Sequence, residues 1–124
     1  MNWEIEFYRT ESGNEPVSDF IRSLKSAVDQ AHILRILDLL LEHGLHFGAP
    51  YVRDVTGIRK LKELRIRGQS GIYRIFYFAF TGRKFVLLHA IAKKSQKTPK
   101  KDLRLAFQRM KDYLSRKGGT TDEL

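Results

Sequence analysis

The segment Lys93-Lys94-Ser95-Gln96-Lys97-Thr98-Pro99-Lys100-Lys101 is the densest concentration of reactive groups in the chain. Six of its nine residues carry an ammonium or an amide donor, and Ser95 and Thr98 add hydroxyls. Ammonium groups neutralise an anion, and free backbone N–H groups at a helix start donate to oxygens. A run joining a strand end to a helix N-terminus therefore suits a phosphate. The same composition also makes a solvated lysine loop ahead of an ordinary capped helix. Upstream, Glu63, Arg65 and Arg67 alternate with Leu64 and Ile66, so on a strand the charged trio shares one face. Arg74 stands inside the apolar run Ile72 to Phe78, where an unpartnered charge costs several kcal/mol. It must pair with Glu63 across the strands or point to a ligand.

The wider charge distribution agrees with an anionic partner. Residues 51 to 100 hold 13 Lys or Arg against two acids, Asp54 and Glu63, whereas residues 1 to 50 hold four basic residues against eight acidic ones. A surface polarised in this way attracts nucleic acid. There is no cysteine, which excludes disulfides, thiolate metal sites and a cysteine nucleophile. His32, His43, His46 and His89 have neither the spacing nor the carboxylate neighbours of a zinc site, so no metal or cofactor is expected. His89 matches the parity of Leu87 and Ile91, which favours a core position over a proton-transfer role. Tyr73 and Tyr77 can stack on bases or shuttle a proton, or belong to the core.

The elements that must position these groups can be read from periodicity. Trp3, Ile5 and Phe7 alternate with polar neighbours, as in a strand with one buried face. Pro16 opens a helix with Val17, Phe20, Ile21, Leu24 and Val28 on its stripe. A second helix starts near Asp29, carries Ile33, Ile36, Leu37, Leu40 and Leu41, and ends at Gly44 as an αL cap. Residues 44 to 60 read as a loop. Strands are expected at about 61–67, 72–80 and 84–92, joined by short glycine-bearing turns as antiparallel hairpins. Thr98 then caps a last helix with Pro99 at N1 and Leu103, Ala106, Phe107, Met110 and Leu114 inward. The order β-α-α-β-β-β-α predicts an α+β domain over residues 1–117, an antiparallel sheet with helices on one face, and a disordered tail at 118–124.

Three blocks carry a family resemblance: Leu61-Lys62-Glu63-Leu64-Arg65, Gly71-Ile72-Tyr73-Arg74-Ile75, and Leu87-Leu88-His89-Ala90-Ile91-Ala92-Lys93-Lys94-Ser95-Gln96-Lys97-Thr98-Pro99. In this order and spacing they resemble the phage-derived, HigB-like branch of the RelE/HigB toxin superfamily, over about residues 3 to 116. Ile91 stands where the pattern usually has an aromatic residue, Ser95 where it has threonine, and Lys62 where an aromatic is more common. The resemblance implies a RelE-like fold and the toxin of a type II toxin-antitoxin pair. Such a toxin cleaves mRNA, often on the ribosome, and is neutralised by a small helix-turn-helix antitoxin.

Metal-free RNA cleavage requires a base for the ribose 2′-OH, cations around the crowded phosphorane, and an acid for the departing 5′-oxygen. The resemblance carries Arg65, Arg74, Lys93, Lys94 and Lys97 over as the catalytic surface, with Glu63, Arg67, Lys62, Tyr73 and Gln96 as RNA contacts. A planar guanidinium donates to two phosphate oxygens, and a lysine crowded by other cations can act as the base, for which Lys93 and Lys97 are the candidates. A non-catalytic RNA- or antitoxin-binding module on the same fold is the alternative. The N-terminus lacks the pattern of a signal peptide and no long apolar stretch is present, so a cytoplasmic address without a membrane partner is expected.

Overall fold

The computed structural model describes residues 2–81, 83–93 and 97–118, with Lys93 described for its backbone alone. The chain runs β1 (Glu4–Phe7), α1 (Pro16–Ser23), α2 (Ala27–His43), a 3-10 turn (Gly44–His46), β2 (Val52–Asp54), β3 (Lys62–Arg67), β4 (Ile72–Phe80), β5 (Lys84–Lys93) and α3 (Lys100–Arg116). The fold is α+β, as expected, with one five-stranded sheet in the order β1-β5-β4-β3-β2.

Local chemistry accounts for the helix boundaries. Proline fits the first turn of α1, where an amide hydrogen would have no acceptor. The Ser26 hydroxyl accepts the Asp29 amide at 3.1 Å and so starts α2 two residues before the expected Asp29. Val28, expected on the first stripe, is instead 61% exposed on α2. Gly44 has φ 59° but ψ −134°, so it leaves α2 by a positive φ without adopting the αL cap. Glycine is required there: a Cβ would lie 2.7 Å from the Trp3 indole nitrogen.

The sheet departs from the expected antiparallel arrangement at its edges. β1 pairs parallel with β5, because the chain leaves β1 through the helical hairpin and returns to the sheet at the far edge. That return is β2, a three-residue strand within the segment expected as loop, antiparallel to β3. β3-β4 and β4-β5 are the expected antiparallel hairpins.

Helices cover both faces of the sheet rather than one. Ile33, Ile36, Leu37 and Leu40 of α2, with Val17 and Ile21 of α1, bury against Leu64, Ile66, Tyr73, Ile75, Tyr77, Phe85 and Leu87. Ala106, Met110, Tyr113 and Leu114 of α3 bury against Phe76, Phe78, Val86 and Leu88 on the opposite face. The β4-β5 register steps from Tyr77↔Leu87 to Phe76↔His89, leaving Leu88 as the extra residue of a bulge. The step reverses parity, so His89 leaves the face of Leu87 and joins that of Phe76, on which its ring stacks at 6.1 Å between centroids. Of the expected tail, residues 119–124 lie outside the described residues.

A buried carboxylate ties the hairpin of helices to the hairpin of strands. Asp29, in the first turn of α2 and without solvent exposure, accepts the amides of Gln69 at 2.6 Å and Ser70 at 2.9 Å and the Tyr73 hydroxyl. A Cβ on Gly68 would come within 2.8 Å of the carboxylate carbon, so the turn closes on Asp29 because residue 68 has no side chain. The Tyr73 hydrogen bond, aided by the two amides and opposed by burial, holds Asp29 below the usual carboxylate range. The same bond pushes Tyr73 up to about 12.

A depressed folded-state pKa stabilises the fold above the ordinary carboxylate value, and the benefit is lost as pH falls through the folded value. Tyr73 has the opposite sense, its contribution present below its ordinary value and lost as pH rises through about 12. Asp29→Asn is therefore expected to lower Tm by about 5 °C or more at pH 7. The gap to wild type should narrow toward pH 3. Thermal unfolding followed by circular dichroism across that range checks this, and a constant gap would contradict the linkage.

Candidate phosphate-binding cleft

The face shared by Arg65 and Arg74 is covered by α3 at one end and open at the other. In the β3-β4 register Arg65 lies directly opposite Arg74, and in the β2-β3 register Arg53 lies opposite Glu63. Cross-strand partners project to the same face, so Glu63 shares its face with the side chains of Arg53, Arg65 and Arg74. Like charges placed opposite each other destabilise a sheet unless an anion lies between or beside them.

Arg74 is the most deeply placed of these groups, only 1% exposed. Its Nη1 donates to Glu63 Oε2 at 3.1 Å and to Thr98 Oγ1 at 3.0 Å. Of the two expected alternatives, the cross-strand ion pair is present, and the guanidinium also lines the cleft. Thr98 is not the helix cap: Pro99 holds that position, no side chain caps α3, and the threonine hydroxyl is directed to Arg74. Thr98 thereby fixes the approach to α3 against the floor of the cleft.

The cleft has a volume of about 420 Å³, and Arg53, Glu63, Arg74, Lys97, Thr98 and Lys100 are among its lining residues. A larger hollow of about 560 Å³ lies in the turn around Gly57, but the buried Glu63-Arg74 pair lines the charged cleft, which makes that cleft the stronger candidate. Arg65 is half-buried and Arg67 exposed on the same face of β3. Lys97 is exposed at the rim. Lys94, Gln96 and the side chain of Lys93 lie outside the described residues.

Two expected RNA contacts are not brought to this cleft. Tyr73 points to the opposite face, where its hydroxyl serves Asp29 and its ring meets Phe20 edge-on. Lys62, with the parity of Leu64, also leaves the cleft face and donates to Asp54 at 2.5 Å, a bond that holds Asp54 below the usual carboxylate range. Tyr77 is a core residue whose hydroxyl is pushed well up, first by burial.

Residues that sequence reasoning did not assign to the cleft brace its α3 wall. His89 Nε2 lies 2.8 Å from Asp102 Oδ1, while Arg109 Nη1 lies 3.2 Å from His89 Nδ1 and donates to the Leu88 carbonyl at 3.0 Å. A guanidinium facing Nδ1 requires a lone pair there, which places the proton on Nε2 toward Asp102. Burial, partly offset by Asp102, lowers the His89 pKa. His89 is thus a neutral strut between β5 and the first turn of α3. Asp102 in the first helical turn was the available signal, but the bulge that aligns it with His89 has no sequence signature. Among the described residues no group of His, Cys, Asp and Glu could hold a metal, and no helix is long and apolar enough to cross a membrane.

The α+β architecture, with its mixed sheet, helical hairpin and C-terminal helix, is compatible with a RelE-like fold. Residues 19–111, about three quarters of the chain, match the family described as Phage derived protein Gp49-like (DUF891), and the chain belongs to that family. The family is RelE/HigB-like and generally toxin-like in toxin-antitoxin systems, which implies an antitoxin partner. No curated protein matches the chain significantly.

Removing one member of a buried ion pair leaves an uncompensated charge, whereas replacing both by apolar groups is far less costly. Glu63→Ala is expected to destabilise the protein by about 3 kcal/mol or more, and Glu63→Leu combined with Arg74→Met to recover most of that loss. Urea unfolding of the single and double variants provides the measurement. Additive losses would show that Arg74 does not depend on Glu63.

Proposed function

We propose that this chain is the toxin of a type II toxin-antitoxin pair and a metal-independent endoribonuclease acting on mRNA, in the setting of the ribosome. The observation that carries the reading is the cross-strand opposition of Arg65 and Arg74, with Arg74 paired to Glu63 in a cleft that Arg53, Lys97 and Lys100 also line. Family membership supports the toxin assignment, and the excess of cations supports a polyanionic substrate.

On this reading the 2′-oxygen attacks the adjacent phosphorus as the bond to the 5′-oxygen breaks. Arg65, half-buried and on the cleft face, spans two phosphate oxygens and meets the charge that grows on the phosphorane. Arg74 holds Glu63 and Thr98 in place and adds its charge from below. A lysine of the segment 93–97 takes the 2′-OH proton, and a protonated neighbour supplies one to the leaving oxygen. Arg67 continues the cationic surface along β3. A small helix-turn-helix antitoxin laying an acidic segment over Arg53 and Arg65 would neutralise the cleft.

Induction of the chain alone is expected to arrest bacterial growth and to generate new mRNA 5′ ends within minutes. Normal growth with intact transcripts and soluble protein present would leave only the non-catalytic binding module. Arg65→Lys keeps the charge but removes the planar fork, so cleavage should fall by about 10² while RNA affinity changes little. Lys84→Ala, beside Glu6 at the β1-β5 edge, should alter neither. Equal losses from both substitutions would reduce Arg65 to a source of diffuse attraction.

A further inference from the structure

Three aromatic rings are stacked where the α2 end meets β2. His43 and Phe47 lie 5.7 Å apart between centroids with planes 8° apart, and Phe47 and Tyr51 lie 5.2 Å apart at 13°. Phe47 is the inner ring and packs against the helical-hairpin core. Pinning the loop to α2 requires only that inner ring. It gives no reason for the outer rings to stay wet, yet Tyr51 is 37% exposed and the His43 side chain 51% exposed. Exposed aromatic area of this kind, backed by parallel rings, is what a nucleobase stacks upon.

The position of the stack selects the ligand. The Tyr51 carbonyl accepts the Arg65 amide at 2.7 Å, so the ladder begins one strand away from the guanidinium pair. Neighbouring strands are about 4.8 Å apart, within the reach of a single nucleotide from phosphate to base. Arg53, two residues beyond Tyr51, lines the cleft itself. At the other end of the stack Glu42 Oε2 lies 3.5 Å from His43 Nε2. Tyr51 thus lies beside the strand that carries Arg65 and two residues from the cleft-lining Arg53.

We infer that Tyr51, backed by Phe47 and His43, is a base-stacking platform for a nucleotide of single-stranded RNA whose phosphate lies in the Arg65-Arg74 cleft. The inference rests on the proposed RNA-cleaving function and adds a second contact to it, one that recognises a base where the cleft recognises charge. Stacking tolerates any base, so the platform contributes affinity and register rather than a sequence code.

The test places an indole on the platform with Tyr51→Trp, using the parent protein to subtract emission from Trp3, which is stacked on Phe85. The probes are a 2′-O-methyl oligouridine, which cannot be cleaved, an abasic oligomer of equal length, and poly-glutamate. The oligouridine should quench the added emission, and the other two should not. In the cleavage assay Tyr51→Ala should raise KM about tenfold with kcat unchanged, and Tyr51→Phe should restore it. Anisotropy showing that oligouridine binds while emission stays constant would overturn the platform and leave the nuclease reading intact. Equal quenching by the abasic oligomer would also overturn it, and quenching by poly-glutamate would assign the surface to an acidic peptide. Absence of both RNA binding and cleavage would remove the nuclease reading, and the platform with it.

Discussion

A guanidinium taken out of water controls the geometry of this molecule. Arg74 occupies the middle of the central strand β4, where desolvating a charge is tolerable only with a counter-charge and a second acceptor in place. Glu63 supplies the first from β3 and Thr98 the second from the segment entering α3. Three parts of the chain that are distant in sequence are therefore held to one side chain. The interaction also marks a border on the sheet: on one side of it α3 seals Phe76, Phe78, Val86 and Leu88, and on the other the face is open and cationic. Through Thr98, Arg74 holds the segment entering α3 at this border, beside the open part of the face.

The α3 wall is braced at a second point by His89 and Asp102, and the bulge at Leu88 makes that contact possible. Without the extra residue, His89 would face the helical hairpin, an apolar layer with no partner for its ring nitrogens. With it, the imidazole lies between an acid on the first turn of α3 and a cation two turns later. Asp112 and Arg116 repeat the pattern toward the end of α3, where Tyr8 donates to Asp112 at 2.5 Å and lies near both Arg109 and Arg116. Polar contacts thus fix the axial position of α3, while Ala106, Met110 and Leu114 supply non-directional burial.

The elements that follow from local rules were legible in the sequence. The stripes of α1 and α2, the three hairpin strands and the α3 face each rest on periodicity and turn residues within one segment. The placement of α3 on the second face also has a signal in the sequence. β4 is apolar at Phe76 and Phe78 as well as at Ile75 and Tyr77, which is how a strand covered on both faces reads. The three-residue β2 was not legible, because so short a strand is defined by its neighbour β3 and not by its own composition. The charged face of β3 was legible from alternation alone. The partners of Tyr73 and Thr98 were not, since Asp29 and Arg74 stand 44 and 24 residues away and local spacing carries no information at that distance.

The arrangement around Glu63 has a thermodynamic consequence. Arg65 lies opposite Arg74 on adjacent strands, and like charges so placed oppose strand pairing through their mutual repulsion. Any anion that fills the cleft relieves that repulsion, binds the folded state and not the unfolded one, and stabilises the fold. On the proposed reading RNA and antitoxin both draw on this same source of free energy. An acidic antitoxin segment then needs no contact with the reacting atoms to inhibit, because relieving the repulsion removes part of what favours the substrate. On the same reading the Tyr51 platform would respond differently, because it would recognise a flat ring, which an acidic segment need not present. On the proposed reading, charge at the cleft would make substrate and inhibitor competitors, and the stacked rings would give the substrate a contact that the inhibitor does not share.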